Sequence, residues 1–503
     1  MSAPAPTLNP PAAPSAENVE PWVVSARQAA VLAQPGWATT PVRDRLAVLR
    51  RARRLIASHA EQLALASAAA RRRPVLESLT AEVIPLAEAC RFLERNAGRL
   101  LAPNRLGRAG RPLWLNGAAT EIHREPLGVV LIIAPSNYPL FLPGVQLLQA
   151  LAAGNAVLLK PGAQGTAAAQ TLVNLLHHAG LDHRLAQVLP EAPAAAQCAI
   201  QAGVAKVFLT GSANTGAAVL ARLAPHLTPA TMELSGCDAV IVRADADLDL
   251  AARALRFGLE LNNGATCIAP RRVFVHRSVA SQLEGRLAAL PGANPPLELV
   301  PHVRQHIDEA LAQGAHLIQG RLLSDHACLP PLVVAGASTS MRLLHEDIFA
   351  PVMSLVTVED DHEAIAMAND CPYALGATIF SASETDAREL AARLNAGLVI
   401  INDLIVPSAD PRVPFGGRGR SGFGVTRGAE GLLEMTAPKV VTVRRSRFLP
   451  HLDAPGANDA ELFKQFLLLQ HGAGLRARWQ ALKTLCRLAR ARRRHSQTLT
   501  SSD

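Results

Sequence analysis

The sequence predicts an α/β fold with two lobes, each built on a parallel sheet, followed by an appended tail. The main observation is that strands of the buried type alternate with amphipathic helices from Gly128 onward. Such alternation produces βαβ units, whose strands pair in parallel. The chain has 503 residues, and single cores stop growing near about 250–300 residues, so more than one packed unit is expected.

The elements begin with a leader and a helical region. Residues 1–20 are rich in Ala and Pro and lack an apolar core, so we predict a disordered leader rather than a signal peptide or anchor. From Val23 to Leu101 apolar residues recur at helical spacing between charged ones, which predicts helices. After a break rich in Gly, Pro and Asn, the alternating segment Thr120 to Glu125 predicts a short strand.

Two sets of buried-type strands follow. The first set has the sequences VVLIIAP, AVLLKPG, KVFLTGS and AVIVRAD, each ending in turn residues. The second set lies between about Asp247 and Asn402, with RRVFVH, MSLVTV, ATIF and GLVIIN. Short apolar runs bounded by turn residues are typical of strands buried in a parallel sheet.

Charge and cysteine usage exclude several classes of protein. The net charge is +9, but residues 471–503 alone carry eight Lys or Arg and one acid, so the body is nearly neutral and no nucleic-acid partner is expected. The seven cysteines are scattered without a C-x-x-C pair. We therefore expect no disulfide framework and no metal site, in a reducing, cytoplasmic location. No apolar run is long enough to predict a spanning helix.

The strongest chemical signal is Cys267. It follows the helix-to-loop break at Asn263-Gly264, so its sulfur could open into a crevice, where a thiolate attacks carbonyl carbon well. A single free cysteine is more often a small buried hydrophobe. Glu233 and Asn137 change that balance, because each follows or ends a predicted strand. A carboxylate there could activate the thiol or a water, and the amide could donate to a developing oxyanion.

The segment Gly211 to Gly216 is a second, weaker signal. It follows the predicted strand Lys206–Thr210 and opens a helix, an arrangement that suits a pyrophosphate. Taken alone, an ordinary strand–helix turn is the more frequent explanation of such a segment.

Seven motifs in order make the chain resemble the aldehyde dehydrogenase superfamily between about residues 25 and 445. They are APSNYP (an asparagine segment), LLKPG (a lysine loop), FLTGSANTG (a glycine loop), MELSG (a glutamate signature), NNGATCIAPRRVFV (a cysteine signature), HEDIFAPV (similar to EEIFGPV) and VPFGGRGRSGFG (a closing PFGG segment). The resemblance implies two Rossmann-type lobes and a small β oligomerisation element.

The resemblance also implies domain boundaries. Residues 21–234 would form the nucleotide-binding domain, with 106–125 contributing to the oligomerisation sheet. Residues 235–424 would form the catalytic domain, 425–448 the oligomerisation strand segment and 449–503 the tail. The alternating segments near 112–125 and 438–445 look like strands through which family members associate, so a homodimer or homotetramer is expected.

The catalytic roles implied by the resemblance are specific. Cys267 would attack the aldehyde and form a thiohemiacetal, while Asn137 and the Cys267 backbone N–H would bind its oxyanion. After hydride transfer, Glu233 would activate the water that hydrolyses the thioester to a carboxylic acid. The alternative is an acylating, coenzyme A-dependent enzyme or an acyl reductase. Such members usually lack this glutamate, so Glu233 favours hydrolysis.

The resemblance also assigns a cofactor site for NAD or NADP. Its residues would be Pro135, Lys160, Gly211, Ser212, Gly216, Leu234, Asp347 and Phe349. Two departures leave the choice of cofactor open, with NAD favoured. Asp347 stands where a glutamate is usual, with Glu346 beside it as a substitute, and Ala163 replaces a glutamate that often contacts the adenosine 2′-hydroxyl.

The substrate and the tail complete the expectations. Tyr138, Phe141 and Ile268 are predicted neighbours of the thiol. Residues 460–495 combine apolar residues at helical spacing with arginines, a pattern of membrane-surface helices. One hypothesis is peripheral contact with anionic lipid, which would suit a long-chain or lipophilic aldehyde. The other is a helix that packs on the enzyme with a solvated basic face.

Overall fold

A computed structural model describes residues 19–290, 297–298, 301–322, 328–446, 449–452 and 454–499. The N-terminal region is helical, as predicted. Its elements are α1 (Val19–Thr39), α2 (Val42–Ser58), α3 (Ala60–Arg71), α4 (Val75–Ser78), a π-helical turn (Leu79–Val83) and α5 (Ile84–Leu100). Val19 and Glu20, which we assigned to the leader, already belong to α1, because Val19 is buried in the core. The rest of the predicted leader lies outside the described residues.

The next region, up to residue 234, contains most strands of the first sheet. Its elements are β1 (Asn104–Leu106), β2 (Ala118–Pro126), β3 (Val129–Ile133), α6 (Phe141–Ala153), β4 (Ala156–Lys160), α7 (Thr166–His178), β5 (Ala186–Val188), α8 (Pro193–Ala202), β6 (Lys206–Gly211), α9 (Ala213–Leu223) and β7 (Ala230–Leu234). All five residues of β3 and of β4 are buried, which explains why these strands read as continuous apolar runs.

The remaining elements run to the tail. They are β8 (Asp238–Val242), α10 (Leu248–Glu260), β9 (Pro270–His276), α11 (Ala280–Ala289), β10 (Leu297–Glu298), α12 (Pro301–Ala312), β11 (His316–Gln319), β12 (Cys328–Leu329), β13 (Leu332–Ala335), β14 (Val352–Val358), α13 (Asp361–Asn369), β15 (Tyr373–Ala374), β16 (Gly376–Phe380), α14 (Glu384–Arg393), β17 (Leu398–Ile401), β18 (Arg418–Gly419), β19 (Gly422–Phe423), α15 (Gly428–Leu433), β20 (Thr436–Arg444), α16 (Asp459–His471) and α17 (Leu475–Leu499). Each predicted buried strand is present.

Two large sheets organise the body. The first has six strands in the order β19-β7-β6-β3-β4-β5, and the second has seven in the order β11-β13-β14-β9-β8-β16-β17. Their strands are parallel except for the edge strands β19 and β11. In the first sheet the chain leaves β3 toward β4 and later returns to β6 on the other side. Open α/β sheets bind ligands at such a reversal of strand order.

The short strand β19 departs from the domain division expected from sequence. Gly422 and Phe423 were placed in the catalytic domain, yet they pair with Glu233 and Met232 of β7 in the first sheet. The chain thus returns to the first sheet after building the second one. The other predicted domain boundaries stay predictions.

The chain divides into two compact units. One contains both large sheets, and the other consists of residues 105–121 and 440–503. Within the smaller unit α16 packs against α17, and the Phe466 ring meets the Trp114 ring edge-on at 5.9 Å. Across the described ranges, no helix has the length and hydropathy that a membrane crossing requires.

Candidate active site

The loop that carries Cys267 is shaped by three successive residues in left-handed conformation. Asn262, Asn263 and Gly264 have φ values of 51°, 54° and 73°. Asn and Gly are the residues that adopt this region most readily. A Cβ on Gly264 would lie 2.5 Å from the backbone of Pro351, so the turn also needs glycine for its close approach. The chain therefore leaves α10 sharply and presents Cys267 just before β9.

Buried Arg271 stabilises this loop through hydrogen bonds to its carbonyl oxygens. Its guanidinium donates to the carbonyl oxygens of Gly264 at 2.6 Å and Thr266 at 3.4 Å. It also donates to the carbonyl of Ala350. One side chain thus joins the cysteine loop to the HEDIFAPV segment, because its five N–H donors can bond several carbonyls at once.

Asn137 lies against the same loop. Its side chain is buried, and its Nδ2 donates to the Ala265 carbonyl at 3.0 Å. Its own carbonyl accepts from Asn262 Nδ2 at 2.9 Å. The neighbouring Tyr138 hydroxyl is 2.7 Å from Thr266 Oγ1. The predicted oxyanion donor is therefore bonded to a residue two positions before the cysteine and tied to its loop by several hydrogen bonds.

A buried ion pair supports this arrangement, and sequence reasoning missed it. Arg73 and Glu82 pair with both side chains fully buried. Glu82 Oε2 accepts from the backbone N–H groups of Leu140 at 2.8 Å and Phe141 at 2.9 Å. Arg73 donates to Asn262 Oδ1 at 3.1 Å. The N-terminal helices therefore position both the asparagine segment and the cysteine loop.

Glu233 ends β7 with only 2% of its surface exposed. Its Oε2 accepts a hydrogen bond from Thr426 Oγ1 at 2.9 Å. Within the described residues its Oε1 has no hydrogen-bond partner. Burial raises the pKa of this carboxyl, whereas the charge of Arg427 and the Thr426 hydrogen bond lower it. A free oxygen on a buried carboxylate is suited to accept a proton from a substrate or water.

The Cys267 thiol holds its proton firmly in this environment. Burial raises its pKa most, and the carboxylates of Glu233 and Asp238 add to the increase. Arg427 opposes it. The thiol must therefore lose its proton to become the thiolate that attacks.

Cys267 and Glu233 lie where two cavities meet, since both residues line both cavities. The first has a volume of about 890 Å³. Among the predicted cofactor residues, those that line it are Pro135, Gly211, Ser212, Leu234, Asp347 and Phe349. Lys160 and Gly216 are not among its lining residues.

Local contacts account for three further predicted cofactor residues, Gly216, Ser212 and Lys160. A Cβ on Gly216 would lie 2.7 Å from the Leu234 side chain, so glycine lets Leu234 pack there. Ser212 caps α9 by accepting from the Thr215 N–H at 3.2 Å. Lys160 ends β4, and burial lowers its pKa while the nearby Glu191 opposes that shift. Glu191 was not singled out from sequence.

The HEDIFAPV segment borders the first cavity. Asp347 accepts from the Phe349 N–H at 3.1 Å, and burial raises its pKa. Phe349 has a φ of 43° and a partly exposed ring. Glu346, considered as a substitute for Asp347, forms an ion pair with Arg342 at 2.9 Å. Of Asp347 and Glu346, Asp347 is the one whose charge raises the pKa of the Cys267 thiol.

The second cavity has a volume of about 570 Å³ and is mainly apolar. The three predicted neighbours of the thiol, Tyr138, Phe141 and Ile268, line it. Its other apolar lining residues are Pro74, Leu76, Ala81, Leu142, Phe257, Leu261, Ile405, Val406, Ala409 and Phe415. Arg427 also lines it, and no motif in the sequence had pointed to that residue.

A cysteine and a buried carboxylate between two cavities, one of them at a strand-order reversal and the other mainly apolar, are typical of an α/β enzyme with two ligand sites. The sequence profile of the aldehyde dehydrogenase family matches residues 7–295 and 296–441. The chain therefore belongs to the aldehyde dehydrogenase family.

Curated relatives agree with this assignment. The 4,4′-diapolycopene aldehyde oxidase of Methylomonas sp is 32% identical over 90% of this chain and 86% of the relative. A putative succinate-semialdehyde dehydrogenase [NADP(+)] of Mycolicibacterium smegmatis is 32% identical over 86% of each chain.

Solved structures give the same fold. Betaine aldehyde dehydrogenase from Staphylococcus aureus, in complex with NAD+, has 25% identity and a TM-score of 0.78, covering 87% of this chain and 90% of that one. NADP-dependent glyceraldehyde-3-phosphate dehydrogenase from Bacillus halodurans, with NADP, has 29% identity and a TM-score of 0.77, covering 85% and 92%. The predicted fold class, the enzyme class and the use of NAD or NADP in aldehyde oxidation are confirmed.

Proposed function

We propose that Cys267 is the nucleophile of this aldehyde dehydrogenase. Its sulfur attacks the carbonyl carbon of the aldehyde and forms a C–S bond, giving a thiohemiacetal. The thiol proton leaves to solvent through water, so Glu233, whose Oε1 is free of other described partners, stays available for the later hydrolysis. The observation that carries this proposal is that Cys267 and Glu233 lie together at the junction of the two cavities.

Asn137 and the backbone N–H of Cys267 are proposed to stabilise the oxyanion. In the resting structure Asn137 Nδ2 bonds to the Ala265 carbonyl, which holds the amide beside the cysteine loop. A donor fixed before reaction stabilises developing charge at little reorganisation cost.

The first cavity fits a dinucleotide. It joins the strand-order reversal, the open turn Gly211-Ser212 and the partly exposed Phe349 ring. Its size is that of an ordinary ligand cleft. When bound, the nicotinamide accepts the hydride from the carbonyl carbon. On the protein side, Leu234 and Phe349 would enclose the ring, and Asp347 would accept from ribose hydroxyls. Pro135, Lys160, Gly211, Ser212 and Gly216 would surround the rest of the cofactor.

Glu233 is proposed to finish the cycle as general base. It takes a proton from a water that attacks the Cys267 thioester, the C–S bond breaks, and a carboxylic acid leaves while the thiol is restored. A coenzyme A-dependent enzyme transfers the acyl group to a second thiol instead. Buried Glu233, with a hydrogen bond from Thr426, favours hydrolysis.

We propose that the substrate is a neutral, lipophilic aldehyde. The second cavity leads to the thiol between apolar side chains, and burying a chain there gains roughly 0.8 kcal/mol per CH₂. Three carboxylates, those of Glu77, Glu233 and Glu260, line it together with one guanidinium, that of Arg427. An aldehyde that itself carries a carboxylate would therefore enter a cavity with an excess of negative charge.

A panel of linear aldehydes from acetaldehyde to hexadecanal tests this substrate class. We expect kcat/KM to rise with chain length until the cavity is filled, by roughly fourfold per added CH₂. Ala81→Phe narrows the cavity and should lower kcat/KM for the long aldehydes about tenfold, leaving acetaldehyde nearly unchanged. Ala288→Phe, at an exposed position on α11, is the control. A preference for succinic semialdehyde over hexanal would contradict the proposal.

The same panel, run with both cofactors, tests the preference for NAD. With Ala163 in place of a glutamate, one carboxylate is missing on the adenosine side. Glu191, however, raises the pKa of Lys160 and accepts a hydrogen bond from Thr166 at 3.1 Å. That carboxylate would repel a 2′-phosphate. We expect NAD to give the higher kcat/KM and Glu191→Gln to raise the kcat/KM with NADP several-fold. A wild-type enzyme that prefers NADP would contradict this.

A homo-oligomer is also proposed. In the smaller unit, β20 presents Val440, Val441 and Val443 to solvent. The segment before β2 exposes Leu113 and Trp114. An exposed apolar edge strand is usually covered by another chain. Light scattering should therefore give a mass of at least twice the 53.2 kDa of one chain.

The tail is proposed to contact anionic lipid. The α16–α17 pair exposes the apolar side chains of Phe463, Leu467, Leu475 and Trp479. Exposed basic residues share this surface, namely Arg476, Arg478, Lys483, Arg487 and Arg490. Apolar residues that insert at the headgroup level beside cations are what membrane-surface helices need. Phe466 is by contrast engaged with Trp114, so the pair also packs within its own unit.

Sedimentation with phosphatidylcholine vesicles, with and without phosphatidylserine, tests the tail. The full chain should sediment with the anionic vesicles only. The double variant Leu475→Ser and Trp479→Ser, and a chain truncated after Pro450, should stay in the supernatant while keeping activity on acetaldehyde. Equal sedimentation of all three proteins would contradict lipid contact through the tail.

A further inference from the structure

Arg427 is a buried cation in the cavity that we assign to the aldehyde. It is 4% exposed and lines that cavity together with Glu233 and Cys267. Its Nη1 donates to the Ser408 carbonyl at 2.6 Å. Its Nε has no hydrogen-bond partner among the residues that the structure describes. An isolated charge in such a place is unfavourable unless an opposite charge compensates it.

Aromatic rings and a strained backbone hold this guanidinium in place. It lies 4.1 Å from the centre of the Phe415 ring and 5.6 Å from that of Phe141. Its backbone has φ 62° and ψ 173°, a conformation that is almost restricted to glycine. Such strain costs about 1–3 kcal/mol and occurs mainly at functional sites.

The electrostatic partners of Arg427 are the two reacting groups. Burial lowers its pKa most, while the carboxylate of Glu233 and the thiolate form of Cys267 raise it. The preceding residue, Thr426, donates to Glu233 Oε2. Two consecutive residues of one segment therefore supply a hydrogen bond and a positive charge to the same carboxylate.

Among the residues that the structure describes, the other elements packed around Glu233 bring no further charge to it. At the paired positions, β6 contributes Thr210 and β19 contributes Gly422. On α6, Gln146 donates to Thr210 at 3.2 Å. Cys267, on the loop before β9, is the other titratable group there, and it feels the negative charge of Glu233. The balance between burial and Arg427 therefore decides whether Glu233 is ionised.

Recognition of an anionic substrate explains Arg427 less well. Glu77 and Glu260 line the same cavity, and Glu260 is itself paired with Arg256. A substrate carboxylate near Arg427 would also be repelled by the negative charge of Glu233, which already acts on Arg427. The cation is thus better matched to the carboxylate already present.

We propose that Arg427 is a positioning residue that keeps Glu233 ionised in the apolar cavity, so that Glu233 can act as a base near neutral pH. This inference rests on the proposed role of Glu233. It adds that the base depends on a cation from the segment after the PFGG motif, held by Phe415 of that motif. Removing the cation should leave the carboxyl protonated over a wider range of pH.

The test is the pH profile of kcat for wild type, Arg427→Met, Arg427→Lys and the control Arg412→Met. Arg412 is 78% exposed in its side chain and pairs with Asp410. In Arg427→Met the acidic limb should move to higher pH. Turnover below the wild-type midpoint should fall about tenfold, while the alkaline plateau stays within about threefold. Arg427→Lys should restore most of the profile, and Arg412→Met should match wild type.

Separate outcomes distinguish the possible failures. If Arg427→Met is folded by circular dichroism and lowers kcat equally at every pH, Arg427 has a merely structural role and the inference is wrong. If Arg427→Met raises only the KM of carboxylate-bearing aldehydes, the residue serves substrate binding and the inference is wrong as well. If wild type oxidises aldehydes without forming a thioester on Cys267, the proposed function itself fails.

Discussion

Replacing Cys267 by alanine should lower kcat/KM for aldehyde oxidation by about 10⁴-fold or more, the scale seen when a covalent nucleophile is removed. Without the sulfur no thiohemiacetal forms, and the oxyanion donors have no intermediate to stabilise. The measurement is the rate of reduced cofactor formation by absorbance over a range of aldehyde concentrations, which gives kcat/KM. Dinucleotide binding, followed by tryptophan fluorescence, should be unchanged, because the first cavity keeps its other lining residues.

Cys198→Ala is the matched control for this variant. Cys198 is a partly buried cysteine on α8 that lines neither cavity, and its replacement should leave activity within about twofold of wild type. Activity of Cys267→Ala above about one per cent of wild type would exclude Cys267 as the nucleophile.

Replacing Glu233 by glutamine should stop the cycle after hydride transfer. The amide cannot take a proton, so kcat should fall by about 10²–10⁴-fold, while the thioester accumulates on Cys267. In a rapid-mixing experiment we expect a burst of reduced cofactor close to one per active site, followed by very slow turnover. Intact-protein mass spectrometry should show the acyl adduct, and hydroxylamine should remove it.

The pH dependence of wild-type turnover follows from the carboxyl group of Glu233. Burial raises the pKa of Glu233, and the protonated form cannot act as base. Turnover should therefore increase as pH rises through that pKa and then level off. Glu430→Gln, at an exposed position on α15, is the control and should retain the wild-type profile. If Glu233→Gln lacks a burst, Glu233 is needed before hydride transfer, as the base for the thiol.

The sheets could be predicted because their strands carry a local signal. Strands β3, β4, β6 and β8 are buried on both faces, so each reads as an apolar run ended by turn residues. Strand β19 has only two residues, Gly422 and Phe423. Its pairing with β7 depends on tertiary contacts, which explains why sequence placed it in the other domain.

Site residues could be predicted where a motif lies at the end of a strand. They could not be predicted where only burial in the folded chain distinguishes one residue from similar neighbours. Cys267, Glu233 and Asn137 each belong to a recognisable motif, and the structure places them around two cavities. Arg73 is one of three consecutive arginines, Arg71 to Arg73, and nothing local indicates that it pairs with Glu82. Arg427 follows a recognisable motif, but only its buried setting among Phe141, Phe415 and Glu233 suggests a role.

The junction of the two cavities also has a consequence for inhibition kinetics. Because Cys267 and Glu233 line both cavities, a dinucleotide in the first cavity and an aldehyde in the second would meet the reacting residues from different sides, and neither would have to leave before the other enters. A molecule that fills the apolar cavity should thus compete with the aldehyde but not with the dinucleotide. The product acid can likewise depart on its own side, so the reduced dinucleotide and the acid need not follow an obligatory order of release.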